Sequence, residues 1–279
     1  MILRIVKYKW RAQLSMSRFY VALLLMIFFL DIYIAPVRNF CKAVGEKISP
    51  FIYPCLITDN SLLLLLLLCF LFLIADVPFL DQSMKYIMIR SGKKAWLKAQ
   101  MIYLFTVSVF FMGFICFSSI LLCLPHLQMM NGWGRIIGTL AQTDAGTIFD
   151  VNIFPSYGMM LDYSPMEAVL TTLIAGVLVV YMFCLALFWS SLYFSRMLGI
   201  CIVTGEVLIE TTAWRLGLWG TYVFPVTWMQ LTTVTKNSAD NRPLLWITWG
   251  VLLLLIGVFQ FMILKMSGRL EAITAIEQE

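Results

Sequence analysis

The residues best placed to do chemistry are two carboxylates, Glu206 and Glu210, four positions apart inside the otherwise apolar stretch Met197–Ala213. Positions i and i+4 share one helix face, and a carboxylate at membrane depth is costly unless it lines water, pairs with a cation or takes a proton. The pair therefore reads as a polar translocation surface or a proton-handling site. Two structural alternatives stand beside it. The helix can end early, leaving both groups near an interface, because Thr211, Thr212 and Arg215 follow; or Arg215 can pair with Glu210.

A second constellation is cationic. Asp76–Gln100 (DVPFLDQSMKYIMIRSGKKAWLKAQ) carries five Lys or Arg residues and a Trp between two strongly apolar runs. Asp81–Ile89 has the character of a short helix, Ser91-Gly92 of its break, and Lys93–Gln100 of the next helix start, with Trp96 at the interface. An ordered, basic, aromatic-bearing elbow suits docking on a soluble partner; charge that only fixes topology is the alternative.

Other chemistries are excluded by absence. Ser91-Gly92-Lys93 lacks the preceding glycine and following hydroxyl of a phosphate-binding loop, and there is no H-E-x-x-H or G-x-S-x-G. A single histidine, His126, and cysteines without C-x-x-C spacing build no metal site. Neither catalytic residues nor metal ligands are expected, and the chain is read as a non-enzyme. Cys41 and Cys55 share one connection, which leaves a disulfide or two thiols open.

The elements that carry these residues follow from composition. Hydrophobic residues make up 61% of the chain and charged ones 13%, against about 25% charged in a soluble domain. The pattern is that of an all-α membrane protein forming a single domain over 1–279. The net charge of +5 lies largely beside apolar runs, so topology rather than nucleic acid explains it. Residues Met1–Arg18 read as a basic amphipathic helix in the headgroup plane, without a small-x-small cleavage site after the following apolar run.

Six transmembrane spans are expected: Phe19–Ile34, about Ser61–Phe79, Trp96–Leu124, Met166–Phe194, Met197–Ala213 and Leu244–Leu264. Most of the twenty Lys and Arg residues fall in the termini, the 76–98 loop and the Ser195–Arg196 turn, which places both termini in the cytoplasm of a multi-pass protein of the cell membrane. Of the outer connections, 125–165 is rich in Gly, Asn, Asp and Pro and reads as irregular and solvent-exposed. Trp214–Leu231 is aromatic and too short on either side of Pro225 to cross. It suits a re-entrant hairpin before the last helix, or interfacial anchoring alone.

An N-terminal interfacial helix, six spans, the basic string Ile89-Arg90-Ser91-Gly92-Lys93-Lys94-Ala95-Trp96 after the second span and an aromatic segment before the last together resemble the permease subunits of bacterial ABC-2-type exporters, most closely those of Gram-positive bacteria with a separately encoded ATPase. The resemblance implies that Asp81, Lys85, Arg90, Ser91, Gly92, Lys93, Lys94 and Trp96 form the region coupled to ABC ATPase subunits, and that Met1–Arg18 lies against the same partner. It implies a second permease copy or a related permease, and an outer gate involving Trp214, Trp219, Phe224, Pro225 and Trp228. No cofactor is expected in this chain; ATP and Mg²⁺ belong to the partner ATPase. The implied function is ATP-driven export of an amphipathic or hydrophobic substrate such as a peptide, antibiotic or lipid-like molecule. The competing classes are a self-contained channel or proton-coupled secondary transporter using Glu206 and Glu210, and a non-transporting immunity or sensor subunit.

Overall fold

A computed structural model describes residues 1–76, 82–153, 155–194, 196–215, 221–236 and 242–266. Eleven α-helices follow one another: α1 (Ile2–Leu14), α2 (Ser17–Val44), α3 (Tyr53–Thr58), α4 (Asn60–Ile74), α5 (Gln82–Ser91), α6 (Lys93–Cys123), α7 (Gly134–Gln142), α8 (Tyr157–Asp162), α9 (Pro165–Tyr193), α10 (Arg196–Arg215) and α11 (Leu245–Lys265). Four of them, α2, α6, α9 and α11, are long and apolar enough to cross a membrane. The chain is thus an all-helical, multi-pass, membrane-embedded protein. Among the described residues no strand forms; the extended backbone makes two isolated bridges, Ile48 with Leu127 and Thr235 with Leu244.

Helix α9 is the centre. In its most apolar window 72% of the residues are buried inside the protein, against 28% for α2 and 22% for α11, whose outer faces are left to lipid. It packs on α6, α10, α11 and α3. Helix α4 lies between α2 and α10. Its leucine run has no polar face, yet Leu62, Leu63, Leu66, Leu67 and Phe70 are buried against these neighbours.

Several boundaries differ from the sequence expectation. The first apolar helix does not stop at Ile34 but runs to Val44 with Pro36 inside it, and ends on Gly45 at φ 73°. A proline removes only one intrahelical bond, and the added turns are held by Arg38, which pairs with Asp31 at 2.6 Å and donates to the Leu122 carbonyl at 3.1 Å. The second is shorter, fifteen residues, while α6 starts at Lys93, where the Ser91-Gly92 break sets it. Helix α10 is continuous through Glu206 and Glu210 to Arg215; it does not end early.

The 125–165 connection is not an irregular exposed segment. It holds α7, a 3-10 turn at Asp144–Phe149 and α8, and buries Ile136, Ile137, Leu140, Val151, Ile153, Met159 and Tyr163. The apolar positions of α7 recur at i, i+1 and i+4, the stripe of a short amphipathic helix. This layer closes over the connection after α2: Ile48 N–H donates to the His126 carbonyl and Gln128 N–H to the Ile48 carbonyl, both at 2.9 Å, and Ser49 Oγ donates to the Trp133 carbonyl at 2.8 Å. Gly134 adopts φ 78°, and a Cβ there would lie 3.1 Å from Met130 Cε and 3.5 Å from Ser49 Cβ, so glycine is required at this crossing. All seven cysteines are free, Cys41 and Cys55 included. Burial pushes the Cys55 thiol up to about 12, so it packs as a small hydrophobe.

Candidate functional site

The elbow between α5 and α6 is built on one glycine. Gly92 sits at φ 81°, ψ 145°, a conformation essentially restricted to glycine. It accepts the Trp96 amide at 3.1 Å and donates to the Met88 carbonyl at 2.9 Å, so the two helices turn on hydrogen-bonded backbone. Ser91 Oγ donates to the Ile87 carbonyl at 2.6 Å, closing α5 locally. The turn sorts its side chains. Tyr86 is 75% exposed, and Arg90 and Lys94 stand in the open with Lys93 and Ser91 half-covered, whereas Met88 and Trp96 are buried. Asp81 lies outside the described residues, as does the side chain of Lys85.

Trp96 requires a correction. The sequence placed it at the interface among the docking residues, but it is fully buried. It packs edge-on to Phe188 with ring centroids 6.2 Å apart, under the Lys9 ammonium 5.9 Å from its ring centre. The reason is α1. That helix turns Ile5, Val6, Lys9 and Gln13 inward and leaves Arg4, Lys7 and Arg11 outside. Trp10 Nε1 donates to Thr106 Oγ1 at 2.9 Å and Gln13 Nε2 to the Leu73 carbonyl at 3.1 Å. The amphipathic face seen in the sequence is real, but it lies on α6 and α4 of its own chain, and Trp96 is the floor beneath it.

Asp76 stands just past the end of α4. Its carboxylate takes Arg18 at 2.6 Å on one oxygen and Arg196 on the other, while Arg196 Nε donates to the Ala75 carbonyl at 2.9 Å. The starts of α2 and α10 are thereby tied to the end of α4. The signal available in the sequence is three charges, Arg18, Asp76 and Arg196, at the ends of successive apolar runs.

The acidic pair is divided. Glu210 is 1% exposed, and its Oε2 accepts the Val226 amide at 2.9 Å, satisfying one of the amides at the start of the 3-10 turn Pro225–Met229. Glu206 is half-buried, one turn earlier on the same helix face. Among the described residues neither forms an ion pair.

The aromatic segment is threaded inward. Val226, Thr227, Trp228, Met229, Gln230 and Leu231 are all buried, and Phe224 and Pro225 partly so. Gln230 Nε2 donates to Asn60 Oδ1 at 2.6 Å, at the first residue of α4, and Trp228 Nε1 to the Tyr222 carbonyl at 2.7 Å. Met229 Cε lies 3.4 Å from where a Cβ on Gly176 would stand. Gly176 is eleven residues along α9, about 16 Å from its start, so the segment reaches well down the central helix. Of the remaining aromatic residues, Trp219 and the side chain of Trp214 lie outside the described residues. The segment's return is held by charge: Lys236 pairs with Glu167 and sits 4.1 Å over the Tyr163 ring, and Arg242 is 3.6 Å from Asp162.

Among the described residues no cluster of His, Cys, Asp or Glu forms a metal site. No family model matches the chain, and neither a curated protein nor a solved structure matches it.

Proposed function

We propose that the chain is the membrane-spanning permease subunit of an ATP-driven exporter whose ATPase is a separate polypeptide. On this reading six helices cross the membrane: the four long ones together with α4 and α10. Residues 221–236 form a re-entrant segment on the outer side, and both termini are cytoplasmic. Fifteen residues of α4 extend about 22 Å, short of a hydrocarbon core of about 30 Å, and the deficit is met at its outer end by Asn60 bonding the buried Gln230. A non-helical backbone at such depth is tolerated only where protein or water lines it, as protein lines this one.

The observation that carries the reading is the elbow. It presents Tyr86, Arg90 and Lys94 outward on a turn fixed by Gly92, while its base is held by Trp96, packed on Phe188 of α9 beneath Lys9 of α1. A push on that surface is delivered to α6 and, through Trp96, to α1 and α9. Energy enters from ATP and Mg²⁺ on the ATPase subunits, and a second permease copy or a related permease completes the pathway. The proton-coupled reading is weakened by Glu210, whose carboxylate holds the Val226 amide. Substituting Gly92→Ala and Arg90→Glu in the assembled complex tests the reading: transport should fall while ATP hydrolysis persists, and unaltered transport in both variants overturns it.

A further inference from the structure

A groove of about 450 Å³ opens on the membrane-facing side of the bundle between α6, α9 and α11. Its walls include Lys98, Ile102 and Phe105 on α6, Tyr181 on α9, and Leu253 and Gln260 on α11. The α6 residues recur at i, i+4 and i+7 and so form one vertical stripe. Depth follows from position. Lys98 and Gln260 each lie five residues from the helix end on the α1 side, and Phe105 and Leu253 each lie twelve. Those steps are about 8 and 18 Å, against about 15 Å for half of the hydrocarbon core. With Lys98 and Gln260 at the headgroup level, the groove extends about 10 Å into that leaflet, roughly two-thirds of its hydrocarbon depth. Ile2 of α1 covers its headgroup end.

Polarity is arranged along the same axis. The wall's deep polar group, the Tyr181 hydroxyl, accepts from Gln260 Nε2 at 3.0 Å, so the interior asks only for hydrocarbon. At the mouth stands the exposed Lys98, with Arg4 and Lys7 exposed on the adjoining α1. An apolar slot about 10 Å deep with a cation at its mouth complements one kind of molecule. We infer that the groove holds an acyl chain of an anionic phospholipid from the leaflet on the α1 side, its phosphate placed on Lys98. Basic pockets between membrane helices bind such headgroups on the same grounds, and the volume falls in the usual range for small-molecule sites, about 300–1,000 Å³. The inference is independent of any ATPase partner.

The test uses the full purified chain in nanodiscs, with spin-labelled phosphatidylglycerol or phosphatidylcholine as probe and the motionally restricted fraction as readout. Phosphatidylglycerol should be held about fivefold more strongly, the effect of one cation at an anionic surface. Lys98→Gln, a change at an exposed position, should bring that ratio to one. Leu253→Trp, which fills the slot from an exposed position, should lower the restricted fraction of the anionic lipid. Equal retention of the two lipids by the unsubstituted chain overturns the inference, as does a preference that survives Lys98→Gln. A restricted fraction unchanged by Leu253→Trp overturns it too, and so does a second copy cross-linked across the groove.

Discussion

Replacing Glu210 separates an anchoring carboxylate from a proton-handling one. The Val226 amide is buried and its hydrogen bond goes to Glu210 Oε2 at 2.9 Å, with Glu210 itself 1% exposed. Glu210→Ala removes the acceptor and leaves a buried donor unsatisfied, at a cost of about 1–3 kcal/mol. Glu210→Gln keeps a carbonyl oxygen in the same place and retains a neutral bond, about half as strong as a charge-assisted one. Hydrogen exchange at the Val226 amide in the purified chain reads the difference directly. Since 1.4 kcal/mol is tenfold, protection should fall about 5- to 150-fold in the alanine variant. It should fall by less in the glutamine variant, and transport by that variant should be largely kept. Equal protection in both variants would refute the anchoring role. Transport abolished by Glu210→Gln with protection intact would assign the carboxylate to the pathway instead.

Other substitutions probe the remaining contacts. Trp96→Ala should destabilise the chain by about 3–5 kcal/mol, as for a large buried aromatic, and so lower the yield of folded protein with or without any partner, whereas Arg90→Ala should leave melting unchanged. Gly176→Ala would set a Cβ against Met112 Cε, the movable end of that side chain, so its cost should be about 1 kcal/mol, the low end for overpacking; thermal melting in detergent measures it. The Cys55 thiol, pushed up to about 12 by burial, stays protonated at pH 8, where an ordinary cysteine near 8.5 is partly thiolate. In a chain retaining Cys55 alone, maleimide labelling at pH 8 should therefore be slow until the protein is unfolded. Asp76→Asn should weaken the attachment of Arg18 and Arg196 by about 1 kcal/mol or less, since all three groups are partly exposed, and should be seen in transport more than in melting.

The sequence made the helical membrane character legible because long apolar runs have only that solution in a bilayer, and α9 and α11 fall where expected. The face of α1 was legible from its periodicity, and Gly92 as a break from its position between two helical patterns. What periodicity does not carry is the occupant of a face. The inward stripe of α1 looks the same whether it meets headgroups or α6, which is why Trp96 was assigned to the surface when it lies in the core. The partner of Glu210 was not legible for a related reason: it is a backbone amide sixteen residues away, and backbone donors leave no mark in residue types. The 125–165 layer was missed because its stabilising contacts run to Ile48, Ser49 and Phe40, distant in sequence, while its Gly and Asp content resembles that of a loop.

If a separate ATPase drives this chain through the exposed face of the elbow, the two chains must touch there. A photo-crosslinking amino acid at Tyr86 or Arg90, in the full chain purified from its native membrane, reads that contact. A crosslink from both positions to a chain that hydrolyses ATP is expected, in preparations whose hydrolysis depends on Mg²⁺. Recovery of the protein with no ATP-hydrolysing chain attached, and no crosslink from either position, would contradict it.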